Sequence, residues 1–173
     1  MAPLVSSTLV VVTGANRGFG RHIVEQIAKK VQPASKILLL GRDSSTLNEV
    51  KSYITAKNSV DAEYYSGYEC ANLDTVALEK FLTSATEGSA FENLVVVHNA
   101  GTVGDVSTPA SELSLEDAQT YMSINFSSMI ASNNLVLSVF GNISHRFVVH
   151  ISSLCALAPF KALSLYCSGK SHS

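Results

Sequence analysis

The sequence predicts an α/β fold, a doubly wound parallel sheet with helices on both faces. Two observations carry this expectation. Short apolar runs alternate with stretches whose apolar residues recur at helical spacing. The 173 residues hold no internal repeat, low-complexity tract or linker, so they suit one domain.

Each element has its own signal. Thr8–Val12 reads as a strand buried on both faces. Ile23, Val24, Ile27, Ala28 and Val31 then share one face of a first helix. Ile37–Leu40 is a second buried strand, and Thr46 with Glu49 has the spacing of a capping box ahead of Leu47, Val50 and Ile54. Glu63–Cys70 is the expected third strand, and Asp74 caps a helix carrying Leu78, Phe81, Leu82 and Ala85. Leu94–His98 is the fourth strand. Ser114 with Asp117 opens a long helix through Met122, Phe126, Met129 and Ile130 to near Gly141. Arg146–Ile151 is the fifth strand, and helical character resumes at Tyr166. Right-handed crossovers turn this alternation into a Rossmann-like order, in which ligands bind beyond the carboxyl ends of the strands.

Composition narrows the function classes. Twelve basic against 14 acidic residues, net −2, with no Lys/Arg run, exclude a nucleic-acid groove or an anionic membrane surface. No apolar run approaches the roughly 18–20 residues of a membrane span. Met1–Ser7 has no basic segment of a secretory signal, and Cys70, Cys155 and Cys167 have no CxxC spacing, so reduced thiols in a cytoplasmic protein are expected. The histidines show no metal-ligand spacing, so no metal is expected, and His98 reads as a packed core residue.

The chemistry is concentrated at the strand ends. The first strand runs into Thr13-Gly14-Ala15-Asn16-Arg17-Gly18-Phe19-Gly20. Gly14 permits a tight turn, Gly18 lets backbone approach a pyrophosphate, and Gly20 allows close helix packing, with the helix N-terminus supplying amide donors. A plain glycine-rich turn is the bland alternative; the position between first strand and first helix favours nucleotide binding. The second strand ends in Gly41-Arg42-Asp43. An acidic residue there chelates ribose hydroxyls, whereas Arg42, joined by Arg17, pairs with a 2′-phosphate; the two arginines favour NADP over NAD, and Asp43 blurs the signal. Asn72 could hold an adenine amino group, with Leu73 against the ring. In His98-Asn99-Ala100-Gly101, Asn99 can bond neighbouring strand backbone, and Ala100-Gly101 leave room for a cofactor.

Ser153, Tyr166 and Lys170 form the most specific constellation. Tyr166 and Lys170, four apart, share a helix face. A lysine ammonium beside a phenol favours the phenolate, which suits Tyr166 to general acid work on a carbonyl oxygen. Ser153, thirteen residues earlier at a strand tip, can donate a second hydrogen bond to that oxygen. Asn125 lies inside the long helix, where Asn is a mediocre helix former.

Together TGANRGFG, HNAG, Asn125 and Ser153–Tyr166–Lys170 resemble the short-chain dehydrogenase/reductase family over nearly the whole chain. Asn99–Ser107, Ile151–Lys161 and Leu165–Lys170 narrow the resemblance to the branch that uses NADPH to reduce side-chain ketones of pterins in tetrahydrobiopterin synthesis. The resemblance implies Tyr166 as proton donor, Lys170 as holder of the nicotinamide ribose, Ser153 as orienter of the carbonyl, and Asn125 as the end of a proton relay. It implies that Gly14, Ala15, Asn16, Arg17, Gly18, Phe19, Gly20, Arg42, Asp43, Asn72, Leu73, Asn99, Ala100, Gly101, Tyr166 and Lys170 line the cofactor, while Ser153, Leu154 and Tyr166 face a pterin or other small carbonyl substrate. It implies a homodimer for the full-length family member, and the charge balance implies neither nucleic acid nor membrane as partner. Two departures stand out. Asn72 replaces the family's usual Asp. The chain stops at Ser173, three residues after Lys170, whereas family members continue the active-site helix and add two strands. The expectation is therefore a single NADP-binding domain of residues 1–173, truncated after the start of the active-site helix and lacking the family's last strands, with a marginal fold and poor turnover. A general dicarbonyl or aldehyde reductase, and a catalytically silent isoform that binds nucleotide or a partner subunit, are the competing readings.

Overall fold

Five strands form one parallel sheet in the computed structural model, which describes residues 6–109 and 111–171. They are β1 (Thr8–Thr13), β2 (Lys36–Leu40), β3 (Asp61–Tyr65), β4 (Asn93–His98) and β5 (His145–His150), in the order β3-β2-β1-β4-β5. The chain steps outward from β1 through β2 to β3, then returns to β4 on β1's other side. That reversal puts the topological switch point between β1 and β4.

The central strands β1 and β2 bury both faces, so alternate residues of one strand enter different cores. Val10, Val12, Ile37 and Leu39 pack beneath α1 (Gly18–Ala28) and α2 (Ser44–Asn58), against Val24, Leu47, Val50 and Ile54. Leu9, Val11, Leu38, Leu40, Leu94 and Val96 face the other way, against Leu78 and Leu82 of α3 (Thr75–Ala85) and Val136 of α5 (Ser128–Val139). The doubly wound arrangement is thus the one the apolar runs predict.

Two expectations are corrected. The Thr46–Glu49 capping box does not form, because α2 starts at Ser44 and Asp43 caps it: Thr46 donates to Asp43 Oδ1 from its amide at 2.8 Å and its hydroxyl at 2.9 Å. The third strand ends at Tyr65 rather than Cys70. Its ladder partner β2 stops at Leu40, opposite Tyr65, so later residues have no strand to pair with and turn into a 3-10 segment, Cys70–Asn72. The other caps hold: Asp74 Oδ1 accepts from the Ala77 amide at 2.9 Å, and Ser114 and Asp117 form the full capping box of α4 (Leu115–Met122).

The expected long helix is α4, a π-helical turn at Ser123–Ser127, and α5. After β5 come a 3-10 turn, Leu154–Ala156, and α6 (Ser164–Lys170). β5 lies at the sheet edge and all six of its residues are exposed, Phe147 by 55%. Among the described residues no helix is long and apolar enough to cross a membrane.

His98 ends β4, buried as expected, with its ring stacked on that of His150 at 5.0 Å between centroids. Nε2 meets Asn133 Oδ1 at 3.2 Å, while Nδ1 has no partner among the described residues. Burial pushes the His98 pKa below its ordinary 6.5; the Asn133 bond opposes this and His150 adds to it. The unfolded chain therefore binds this proton more readily than the folded one, and acidification through pH ~6.5 destabilises the fold by up to about 1.4 kcal/mol per pH unit for one group. Urea unfolding at pH 7.5 and 5.5 should show this loss in wild type and a smaller one in His98→Asn; equal losses would remove His98 from the effect.

Candidate active site

The tips of β1 and β4 are stapled together. Asn99 Nδ2 donates to the carbonyls of Thr13 (3.1 Å) and Gly14 (3.2 Å), and Thr13 Oγ1 accepts the amides of Asn99 (3.0 Å) and Ala100 (2.9 Å). Around this staple the glycine loop closes. Gly14 and Gly18 have φ of +65° and +54°, in the left-handed region that favours glycine. A Cβ on Gly20 would run into the Gly14 carbonyl and Asn99 Nδ2, so α1 can lie on the loop only with glycine there. Ala15 is fully buried, its amide donating to the Leu40 carbonyl at 3.2 Å. The first turn of α1 carries no acidic residue, and Arg17 at its N-cap makes no side-chain capping bond. Its amides are thus not filled by the chain's own side chains, which suits them to an anion.

Over the staple lies a cavity of about 390 Å³. Gly14, Asn16, Arg17, Gly18, Phe19 and Gly20 form one wall, Gly41 and Arg42 the second, and Asn99, Ala100, Gly101 and Thr102 the third. Arg42 is exposed, its guanidinium 3.7 Å from the Glu69 carboxylate. Asp43 stands outside the wall: its carboxylate caps α2, and the Thr46 backbone and hydroxyl bonds hold its pKa below the usual value. Asn72 is exposed at the end of the 3-10 segment, and Leu73 packs partly buried on the second core. The wall there is instead Tyr68, Glu69 and Cys70. These three were missed in the sequence because their position follows from the early end of β3. Tyr68 donates to Ser132 Oγ at 2.9 Å, and burial raises its phenol pKa.

Asn125 sits in the π-helical turn. Its Oδ1 accepts the Thr102 amide at 2.8 Å and its Nδ2 donates to the Tyr121 carbonyl at 3.1 Å. Asn125 therefore ties the loop after β4, and with it the cavity wall, to the long helix. Ser153 caps the 3-10 turn, its Oγ accepting the Cys155 amide at 3.2 Å, and Leu154 beside it is 64% exposed. Tyr166 and Lys170 lie on α6. Lys170 Nζ donates to the Ile151 carbonyl at 2.6 Å and stands 5.9 Å from the Tyr166 ring centre. Burial lowers the Lys170 pKa. Ser153, Leu154, Tyr166 and Lys170 do not line the 390 Å³ cavity. A separate, mostly apolar cavity of about 400 Å³ lies between Ser107–Pro109 of the loop after β4 and Phe160–Ala162 with Ser164, where α6 begins, and none of the four lines it either. Among the described residues no cluster of three metal-ligating side chains occurs.

Comparison with known proteins places the chain. The family model for short chain dehydrogenases matches residues 8–172. Sepiapterin reductase of Rattus norvegicus is 35% identical over 92% of this chain and 63% of its own length. That of Xenopus laevis is 31% identical over 98% of the chain and 65% of its own length. The chain thus spans less than two thirds of these curated relatives. A short chain dehydrogenase of Escherichia coli CFT073, solved in complex with NADPH, superposes with a TM-score of 0.79 at 22% identity, over 97% of this chain and 68% of that one.

The staple makes Gly20 the least replaceable glycine of the loop. Gly20→Ala should lower the unfolding free energy by about 1–3 kcal/mol or more, as overpacking against fixed backbone does. Urea denaturation reads this directly, and a loss below about 0.5 kcal/mol, the level of an ordinary surface change, would show that the loop yields.

Proposed function

The chain belongs to the short chain dehydrogenase family, and from that premise we propose that it is an NADP(H)-dependent carbonyl reductase of the sepiapterin reductase type, acting on a pterin side-chain ketone in tetrahydrobiopterin synthesis. The observation that carries the reading is the placement of Tyr166 and Lys170 on one helix, after Ser153 in the segment that follows β5, in a chain whose β1 leads into a glycine-walled cavity.

The residues fit the nucleotide. The cavity wall at Gly14, Gly18 and Gly20 is bare backbone, and the first-turn amides of α1 are open to a pyrophosphate. Arg17 and Arg42 line the same cavity, where a 2′-phosphate would meet guanidinium groups. Asp43, held by its capping bonds, is not on that wall, which favours the phosphorylated cofactor. When bound, the nicotinamide supplies the hydride.

The chain's own residues then manage the proton and the carbonyl. Ser153 Oγ accepts from the Cys155 amide, which directs its own proton outward to a substrate oxygen. Tyr166 Oη delivers the proton to that oxygen. Lys170, anchored at Ile151, stabilises the phenolate left behind and holds the nicotinamide ribose. Asn125 keeps the loop at Thr102 in place and joins the proton relay.

Two measurements test the reading. NADPH should bind more tightly than NADH by on the order of 10- to 100-fold, the worth of a charge-assisted phosphate contact, and Arg42→Ala should narrow the gap. Equal wild-type affinities would overturn the cofactor assignment. With sepiapterin as substrate, Tyr166→Phe should lower turnover by about 100-fold or more while leaving NADPH affinity nearly unchanged. A Tyr166→Phe variant with wild-type turnover would remove Tyr166 from the proton step.

A further inference from the structure

The long helix presents one aromatic ring to the active-site helix. Tyr121, on α4 four residues before Asn125, is 3% exposed. Its ring lies directly under Gly169, the last of the three residues between the two catalytic positions Tyr166 and Lys170. A Cβ on Gly169 would come within 2.6 Å of Tyr121 Cε1 and Oη and 3.0 Å of Cζ. The backbone of α6 therefore rests on the ring, and only glycine allows it to come so close. The opposite edge of the ring meets the loop after β4 in the same way: a Cβ on Gly104 would lie 3.0 Å from Cδ2, and Gly104 has φ of +78°. One aromatic ring is thus clamped between two glycines from separate segments.

The same residue reaches the third catalytic position through its backbone, since its carbonyl accepts from Asn125 Nδ2. Its hydroxyl, by contrast, is buried and has no hydrogen-bond partner among the described residues. A buried, unbonded hydroxyl is unfavourable. The ring's shape is therefore what the fold uses. Burial, with Tyr166, Cys155 and Cys167 nearby, raises the Tyr121 pKa to about 12, so it stays neutral at physiological pH and brings no charge to the site.

We propose that Tyr121 is a positioning residue whose ring sets the seat of α6, fixing Tyr166 and Lys170 at the height they need to meet the nicotinamide half of the nucleotide. The inference rests on the reductase reading above. It does not involve the adenosine half, which is held by the glycine loop and the arginines, away from Tyr121.

That asymmetry provides the test, on the chain itself. Dissociation constants are measured for NADPH and for adenosine 2′,5′-bisphosphate, which probes only the adenosine half, alongside thermal unfolding. Tyr121→Ala should weaken NADPH by about tenfold, equivalent to about 1.4 kcal/mol, and leave the bisphosphate unchanged. Tyr121→Phe, which keeps the ring and removes the unbonded hydroxyl, should bind both like wild type and melt no lower. Gly169→Ala pushes α6 off the same seat and should copy the selective NADPH loss, which keeps the inference testable should Tyr121→Ala fail to fold. Where turnover with sepiapterin is measurable, Tyr121→Ala should lower kcat by about 100-fold, the scale of a displacement of about 1 Å, and Tyr121→Phe should restore it. Parallel losses for both ligands, or no loss for either, in Tyr121→Ala and Gly169→Ala would overturn the inference. So would a Tyr121→Phe variant as impaired as Tyr121→Ala. A wild-type chain that binds neither ligand overturns the functional reading and this inference with it, whereas wild-type binding without the selective loss overturns the inference alone.

Discussion

The Asn99 side chain is the constraint on which the rest of this molecule depends. Parallel strands diverge at their ends, and the gap between β1 and β4 is where a doubly wound sheet changes direction. Asn99 closes the floor of that gap by donating to two successive carbonyls of β1, while Thr13 returns the favour by accepting two amides of β4. Four bonds between two strand ends leave the backbone no freedom. Gly14 and Gly20 follow from this, since the amide nitrogen of Asn99 lies where their side chains would be. The loop, the start of α1 and the shape of the cavity are consequences of one fixed amide.

β1 and β2 were legible in the sequence because they are buried on both faces. Leu9–Val12 and Ile37–Leu40 carry no polar residue, and short β-branched and leucine runs of this length fit a central parallel strand. The third strand was misjudged for the opposite reason. Asp61–Tyr65 is only partly buried, and its end is set by where β2 stops, a fact about a neighbour rather than about the strand's own residues. The start of α2 went the same way: Thr46 and Glu49 had the right spacing, but Asp43 came first along the chain and took the cap. A cap signature states which residues can close a helix, and the preceding strand decides which one does.

The candidate site divides along the same line. Glycines 14, 18 and 20 stood out because local geometry demands glycine there, and Tyr166–Lys170 because a four-residue spacing puts the two on one helix face. Asn72, Leu73 and Asp43 were placed by analogy of position and lie off the cavity wall, while Tyr68, Glu69 and Cys70 occupy it. Tyr121 gave no sign in the sequence. An aromatic residue on the buried face of an amphipathic helix looks like any other core residue, and its importance comes from Gly169, 48 positions along the chain and adjacent only in space.

The π-helical turn at Ser123–Ser127 also sets the angular phase of everything that follows it. A π turn holds one residue more than an α turn, and one residue is about 100° of rotation about a helix axis. Upstream of it Tyr121 points toward α6; downstream Ser132 and Val136 point into the sheet core. The extra residue is what lets a single continuous rod serve two neighbours in different directions. Removing any one residue from the turn would relax it to ordinary pitch and swing the whole of α5 by roughly a quarter turn, carrying Val136 out of the core. The segment thus tolerates exchange of side chains more readily than any change in length.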